Sequence, residues 1–257
     1  MKLCLSARMF TSQTRRNAFD LDIESFVQFA KDTGHDGITL RPGQLDADTD
    51  SETVSHIAEI LERAQMPCSF IKSMAIRDQE TYEGQCQLLE HMNQIGCPIL
   101  QPKVSSESDI PWTQKLCDEA AKQGAQISPQ LHNGTLHDTV PRTLDLLKAV
   151  DRDNFGLNFE AAHLVLQNEP IRNGEAVRAI GNRIFSVCIQ NYKLDENKKM
   201  IPCLPDDPKG VDFDDVFAAL REISFDGFIT HISGAYPNMD NRTLCENYLK
   251  YLRPLMA

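Results

Sequence analysis

The sequence has no long hydrophobic run, and this limits where the protein can work. No stretch of its 257 residues approaches the length of a membrane-spanning helix. The segment Met1–Phe10 carries Lys2 but also Ser6 and Arg8, and no continuous apolar core follows it, so it does not resemble a secretory signal peptide. We therefore expect a cytoplasmic protein without a membrane partner.

Positive charge is also scarce. The chain has 26 Lys and Arg against 37 Asp and Glu, a formal net charge of −11. A broad nucleic-acid surface needs a basic face, so we expect no nucleic-acid partner. A few local cations would still suffice to hold a small phosphorylated or polyhydroxylated ligand.

The eight cysteines contain no C-x-x-C pair, and several stand in apolar surroundings such as Val187-Cys188-Ile189. This scatter is typical of reduced, buried thiols in a cytoplasmic protein rather than of disulfides or a zinc site. The cysteines are Cys4, Cys68, Cys86, Cys97, Cys117, Cys188, Cys203 and Cys245.

A glycine-rich first turn is missing too, because Leu5-Ser6-Ala7-Arg8 contains no glycine. We therefore expect no nucleotide cofactor and no doubly wound dinucleotide-binding sheet. Apolar runs instead alternate with amphipathic helical patterns along the whole chain. Strands are predicted at Lys2–Ala7, Asp36–Arg41, Met66–Lys72, Pro98–Val104, Ala125–Leu131, Phe155–Glu160, Ile184–Asn191 and Gly227–Ile232. Eight strand–helix units in this length predict an α/β protein, a single (β/α)8 TIM barrel domain spanning residues 1–257.

Four of the predicted strands end in a polar side chain. These residues are Gln130, Glu160, Gln190 and His231. Because a barrel gathers the carboxyl ends of its strands on one rim, they could converge there. One carboxylate, one imidazole and two amides could ligate a divalent cation such as Mn²⁺, Mg²⁺ or Zn²⁺. The same set could instead form a polar, hydrogen-bonded pocket without metal.

Other polar residues lie at or just beyond the same strand ends. His132 and His163 could contact substrate or move a proton, whereas Arg41 and Lys103 could bind a phosphate, carboxylate or hydroxyl. Asn191 directly follows Gln190 and is a further candidate for substrate binding. The irregular connection after strand seven, residues 191–211, is either a lid over the pocket or a solvent-exposed loop with no role in ligand binding.

Five short motifs mark a family resemblance that covers nearly the whole chain. Asp36–Arg41 (D-G-I-T-L-R) is similar to D-G-I-E-L-R, Gln130–Gly134 (Q-L-H-N-G) to E-N-H-x-G, and Gly156–His163 (G-L-N-F-E-A-A-H) to G-L-x-x-D-x-x-H. Residues 210–213 and 225–228 resemble G-x-x-D-F and Y-D-G-Y. The chain thus resembles the sugar phosphate isomerase/epimerase group of the xylose isomerase-like barrel superfamily.

The resemblance implies a rim site in which Glu, Asp, His and Glu hold a divalent cation and the two glutamates move a proton. Here Gln130, Glu160, Gln190 and His231 occupy these positions, and only the substrate-contacting histidine, His163, is retained. A glutamine cannot abstract a proton from carbon, so the two-glutamate mechanism does not transfer directly.

Two functions follow as alternatives. The first is an enzyme acting on a sugar, ketosugar or cyclitol derivative, with Glu160, His231 or His163 as acid or base, which would be an isomerase, an epimerase or a lyase using the same pocket. The second is a diverged, non-catalytic relative that binds a carbohydrate or supports a partner subunit. Homo-oligomerisation is compatible with either.

Overall fold

The parallel strands of this protein form a nearly closed barrel. A computed structural model describes residues 1–12, 18–233 and 236–257. The strands are β1 (Lys2–Ser6), β2 (Gly37–Leu40), β3 (Cys68–Lys72), β4 (Ile99–Gln101), β5 (Gln126–Ile127), β6 (Leu157–Phe159), β7 (Ile184–Ile189), β8 (Tyr192–Leu194), β9 (Met200–Pro202) and β10 (Phe228–His231). All except β8 and β9 pair in parallel in the order β5-β4-β3-β2-β1-β10-β7-β6. The predicted (β/α)8 barrel is confirmed.

The barrel closes between β5 and β6 through isolated bridges. Ile127 pairs with Phe155 and Gln130 pairs with Asn158, both in parallel. The amide of Leu131 donates to the carbonyl of Asn158 at 2.9 Å. Because β5 itself is only two residues long, these bridges form the seam between β5 and β6 that closes the barrel. They also place Gln130 beside β6.

Amphipathic helices surround the barrel and bury their apolar faces against it. They are α1 (Ile23–Asp32), α2 (Ser51–Ala64), α3 (Gln79–Ile95), α4 (Ile110–Ala121), α5 (Val140–Val150), α6 (Ala161–Leu166), α7 (Asn173–Ile180), α8 (Phe213–Glu222) and α9 (Asn241–Leu255). Five helices begin at an aspartate whose carboxylate accepts a backbone N–H of the first turn, which satisfies a donor that would otherwise lack a partner. These caps are Asp22, Asp50, Asp78, Asp212 and Asp240.

Glycine is required where two strands come closest. A Cβ on Gly37, at the start of β2, would lie 2.5 Å from the carbonyl oxygen of Pro67 and 2.9 Å from Sγ of Cys4. Any side chain there would push the neighbouring strands apart. The glycine of the D-G-I-T-L-R motif thus allows β2 to pack between β1 and β3.

The connection after β7 contains ordered structure. Strands β8 and β9 form an antiparallel hairpin in it, with Lys193 opposite Ile201. Asn191 anchors its base: the side-chain oxygen accepts from the amide of Val211 at 2.8 Å, and the side-chain nitrogen donates to the carbonyl of Leu204 at 2.9 Å.

All eight cysteines are free thiols. Within the described ranges, none of the helices combines the length and the apolar character needed to cross a bilayer.

Candidate active site

A cavity of about 280 Å³ opens at the carboxyl end of the barrel strands. Its lining combines cations, amides and an imidazole with an apolar floor: Arg8, Arg41, Phe70, Lys72, Gln101, Gln130, His132, Cys188 and Ile232. Side chains alternate between the two faces of a strand. Lys72 therefore follows Phe70 into the cavity, and Gln190 points to the same side as Cys188.

Glu160 lies beneath this cavity and is fully buried. The side-chain amide nitrogens of Gln130 and Gln190 both donate hydrogen bonds to its carboxylate. A carboxylate only accepts, so each glutamine must turn its NH₂ group toward Glu160 and its oxygen away. The two amides thus satisfy the buried carboxylate with hydrogen bonds but supply no positive charge.

The amide oxygens that point away from Glu160 accept hydrogen bonds from cationic side chains. Nζ of Lys72 donates to Oε1 of Gln130 at 3.0 Å, and Arg8 donates to Oε1 of Gln190 at 3.0 Å. The result is a continuous network in the order Lys72–Gln130–Glu160–Gln190–Arg8. Lys72 also donates to Oε1 of Gln101 at 3.2 Å, and Nε2 of Gln101 is buried without a hydrogen-bond partner.

The charges in this network perturb one another. Burial alone would raise the pKa of Glu160, but His163 and the two amide donors outweigh it, so this pKa lies below its ordinary value. Burial, with the nearby Arg41 guanidinium, lowers the pKa of Lys72 to about 8. Burial and the neighbouring Arg8 lower the pKa of Arg41 to about 10. Among the residues that the structure describes, the cavity and its network thus have three cations against one carboxylate at neutral pH.

Two histidines connect Glu160 to the mouth of the cavity. Nε2 of His163 lies 3.3 Å from Oε1 of Glu160, and the rings of His163 and His132 are 4.0 Å apart. Nδ1 of His132 lies 2.9 Å from the carbonyl oxygen of Asn133, which places the proton on Nδ1 and leaves Nε2 with a free lone pair. Partial burial, with the nearby His163, lowers the pKa of His132 below its ordinary value.

The structure does not bring His231 to this cavity. In β10 the following residue, Ile232, lines the cavity instead. The His231 ring stacks on Tyr248 of α9 at 4.1 Å, on the outer side of the strand. The sequence predicts that His231 joins Gln130, Glu160 and Gln190, and the structure corrects this prediction. The alternation of side chains continues to His231, the last residue of β10, and places its ring on the outer side of the barrel.

The donor set therefore does not fit a divalent cation. Glu160 supplies the only carboxylate, and its oxygens already accept from two amides. The amide oxygens that could ligate a metal face the positive charges of Lys72 and Arg8, which would repel it. The network places cationic side chains where a metal would have to be coordinated.

The remaining sequence-predicted residues divide in two. Arg41 and His132 line the cavity, and the guanidinium of Arg41 makes no hydrogen bond or ion pair with any residue that the structure describes. Lys103 is exposed and is not part of the cavity lining. Asn191 is buried and uses its side chain to anchor the following loop.

Sequence reasoning missed Arg8, Lys72 and Gln101. A usable signal was present, because Lys72 ends the third predicted strand two residues after Phe70, and Arg8 stands two residues after Ser6 of the first. If the alternation of inward-facing side chains is continued beyond the end of each strand, it selects Arg8 and Lys72.

The comparisons with known proteins agree with this architecture. A family model described as xylose isomerase-like TIM barrel matches residues 27–252. No curated protein matches the sequence significantly.

Several solved structures share the fold at low identity. D-allulose 3-epimerase from Methylomonas sp. is 18% identical, with 99% of this chain and 98% of that chain covered and a TM-score of 0.74. The probable 3-DHS dehydratase from Bacillus anthracis is 18% identical, with 98% and 99% covered and a TM-score of 0.77. A xylose isomerase-like TIM barrel protein from Mycobacterium smegmatis, solved in complex with magnesium, is 16% identical, with 99% and 96% covered and a TM-score of 0.78.

Proposed function

The chain belongs to the xylose isomerase-like TIM barrel family, and we propose that it is a metal-independent enzyme acting on a small carbohydrate derivative that carries both a carbonyl and an anionic group. The observation that carries the proposal is the network Lys72–Gln130–Glu160–Gln190–Arg8. It presents fixed positive charge to the cavity without a bound cation.

Charge and size support an anionic, sugar-sized substrate. Arg8, Arg41 and Lys72 line the cavity, and Glu160, the carboxylate closest to them in the network, lies beneath it. The unpaired Arg41 guanidinium can form a bidentate pair with a carboxylate or phosphate. A volume of about 280 Å³ is at the small end of ligand pockets, which span about 300–1,000 Å³.

The histidines and Lys72 can divide the chemistry between them. Nε2 of His132 would remove a proton from the carbon next to the substrate carbonyl, while Lys72 donates a hydrogen bond to the developing enediolate oxygen. His163, whose Nε2 lies 3.3 Å from Glu160, would position the His132 ring, and the negative charge of Glu160 would favour the protonated form of that ring.

The fate of the enediolate determines the product. Return of the proton to the other face or the neighbouring carbon gives an epimer or isomer, and loss of a β-hydroxyl as water gives a dehydrated product. Both outcomes have counterparts among the structural neighbours, which include sugar 3-epimerases and a probable dehydratase.

Hydrogen exchange at carbon tests this proposal. The protein is incubated in D₂O with 2-keto-D-gluconate, with D-fructose 6-phosphate and with uncharged D-fructose, and NMR follows loss of the hydrogen next to the carbonyl. We expect exchange with an anionic member of the set, unchanged by EDTA, because the proposed proton transfer uses no metal.

Variants assign the exchange to the site. His132→Gln should abolish it, whereas His56→Gln, which changes an exposed histidine of α2, should not. Exchange that EDTA removes and Mn²⁺ restores would contradict the proposal. Tight anion binding without any exchange or dehydration would favour the non-catalytic carbohydrate-binding alternative.

A further inference from the structure

A second cluster of chemically capable side chains lies outside the barrel cavity. His35 precedes β2, His231 ends β10, and Cys245 is in α9. One ligand atom from each lies within 4.8 Å of the others, and all three residues are buried. The proposed reaction uses none of them.

Three of the four imidazole nitrogens in this cluster lack a hydrogen-bond partner among the described residues. Both ring nitrogens of His231 and Nε2 of His35 are buried without a hydrogen bond among the described residues. A buried polar atom that is left unpaired destabilises the folded state, and phenylalanine could stack on Tyr248 without that cost. Packing alone therefore does not explain why histidine occupies position 231.

Local contacts fix the tautomer of His35. Its Nδ1 lies 3.0 Å from Oγ1 of Thr33, and that hydroxyl contacts the carbonyl of Phe29 at 2.9 Å. A hydroxyl has one proton, so Thr33 donates it to the carbonyl and accepts from Nδ1–H of His35. Nε2 of His35 then carries a lone pair, as metal-ligating imidazoles do when their other nitrogen is held by a hydrogen bond.

A thioether completes the set. Sδ of Met9, in the short 3₁₀ helix after β1, lies 3.6 Å from Sγ of Cys245 and is 7% exposed as a residue. A thiolate and a thioether are soft donors that favour Cu(I) over harder cations, and imidazole also ligates copper. We propose that His35, His231, Cys245 and Met9 form a buried Cu(I) site between β10 and α9.

Charge balance favours a monovalent ion. Cu(I) with one thiolate and three neutral donors is neutral overall, whereas Zn²⁺ would leave a net positive charge in the interior. The nearby carboxylate of Asp36 does not offset that charge, because Arg253 binds both of its oxygens at 2.7 and 2.8 Å.

Binding would exchange a proton for the metal. Without metal, the thiol of Cys245 donates to Sδ of Met9 at 3.6 Å. Cu(I) forms a bond to Sγ as the S–H bond breaks and the proton is released to solvent. No electron is transferred in this step.

The test is an anaerobic Cu(I) titration of the full chain against a chromogenic Cu(I) chelator. A parallel sample is unfolded and refolded with Cu(I), so that slow access to the interior does not conceal binding. We expect about one Cu(I) per chain, and X-ray absorption at the copper edge should report two nitrogen and two sulfur neighbours.

Matched variants separate this site from the other thiols. Cys245→Ser should remove the bound copper, whereas Cys117→Ser, which alters an equally buried thiol of α4, should retain it. His231→Phe keeps a ring against Tyr248 and should weaken binding by at least about tenfold.

Three results would overturn the proposal. These are equal copper content in Cys245→Ser and wild type, no stoichiometric Cu(I) by either loading route, and binding of Zn²⁺ to the same residues in preference to Cu(I).

Discussion

At the scale of single residues, Glu160 determines how the rest of the pocket is arranged. Because its buried carboxylate accepts from Gln130 and Gln190, both amide oxygens face the cavity wall, where Lys72 and Arg8 bind them. Glutamate at position 130 would instead place two carboxylates side by side. The two glutamines and the two cations therefore depend on one another through a single hydrogen-bond network.

Removing the charge of Glu160 should destabilise the protein. In Glu160→Gln, the buried amide donors of Gln130 and Gln190 lose an ionised acceptor, which we expect to cost about 3 kcal/mol of unfolding free energy. Urea denaturation measures it, with Glu59→Gln on the exposed face of α2 as the control.

The pH dependence of this loss has a defined sign. The folded-state pKa of Glu160 is depressed, so its contribution to stability is present above the unfolded pKa and disappears as the pH falls through the folded value. The difference between wild type and Glu160→Gln should therefore shrink in acid. A difference that grows as the pH falls would contradict the ionised network.

At the scale of elements, α9 holds the barrel and the β7 loop together. The hydroxyl of Tyr248 accepts a hydrogen bond from the backbone amide of Asn191 at 3.0 Å, directly after the Gln190 that binds Glu160. A helix at the end of the chain thus fixes the position of a residue in the site.

Tyr248→Phe should lower the unfolding free energy by about 1–2 kcal/mol, because it leaves the buried N–H of Asn191 without an acceptor. Tyr251→Phe is the matched control, since the Tyr251 hydroxyl bonds Asp214 at the surface. Thermal unfolding of both variants gives the comparison, and equal losses would show that the Asn191 contact contributes nothing particular.

The elements that the sequence did not predict have a physical explanation. Helix α6 has only six residues, too few for a helical period to stand out. The β8–β9 hairpin exposes Leu194 and Met200 by 46% and 52%, so it lacks the buried face that produces a polar–apolar alternation. By contrast, the barrel strands bury nearly every residue and were recognised as continuous apolar runs.

At the scale of the whole molecule, topology made the site partly predictable. Parallel strands in sequence order bring Gln130, Glu160 and Gln190 together, and the strand pattern alone sufficed to expect this. The structure places His231 outside the cavity, contrary to the prediction. The side of the sheet on which the last residue of β10 lies depends on where the strand ends, and a period-two pattern does not determine that point. The amide oxygens of the two glutamines bind Lys72 and Arg8, and the strand-end argument selected neither of these cations.

The seam between β5 and β6 should be the weakest part of the barrel. It rests on isolated bridges, whereas β1 and β10 pair over four consecutive residues. Native-state hydrogen exchange with mass spectrometry should show faster exchange in a peptide covering residues 126–131 than in one covering 228–231. Equal protection would mean that the seam opens only with the whole barrel.

We propose that side-chain cations, above all Lys72, occupy the place of a metal and bind an anionic sugar derivative. The most direct measurement is calorimetric binding of 2-keto-D-gluconate and of D-fructose between pH 6.5 and about 9.5. Since the pKa of Lys72 is about 8, affinity for the anion should be constant below that pH and fall by up to about tenfold per pH unit above it. Lys72→Gln should bind the anion more weakly and without this dependence, and D-fructose should show little of either effect. Equal binding of both sugars, unchanged by pH and by Lys72→Gln, would contradict the account.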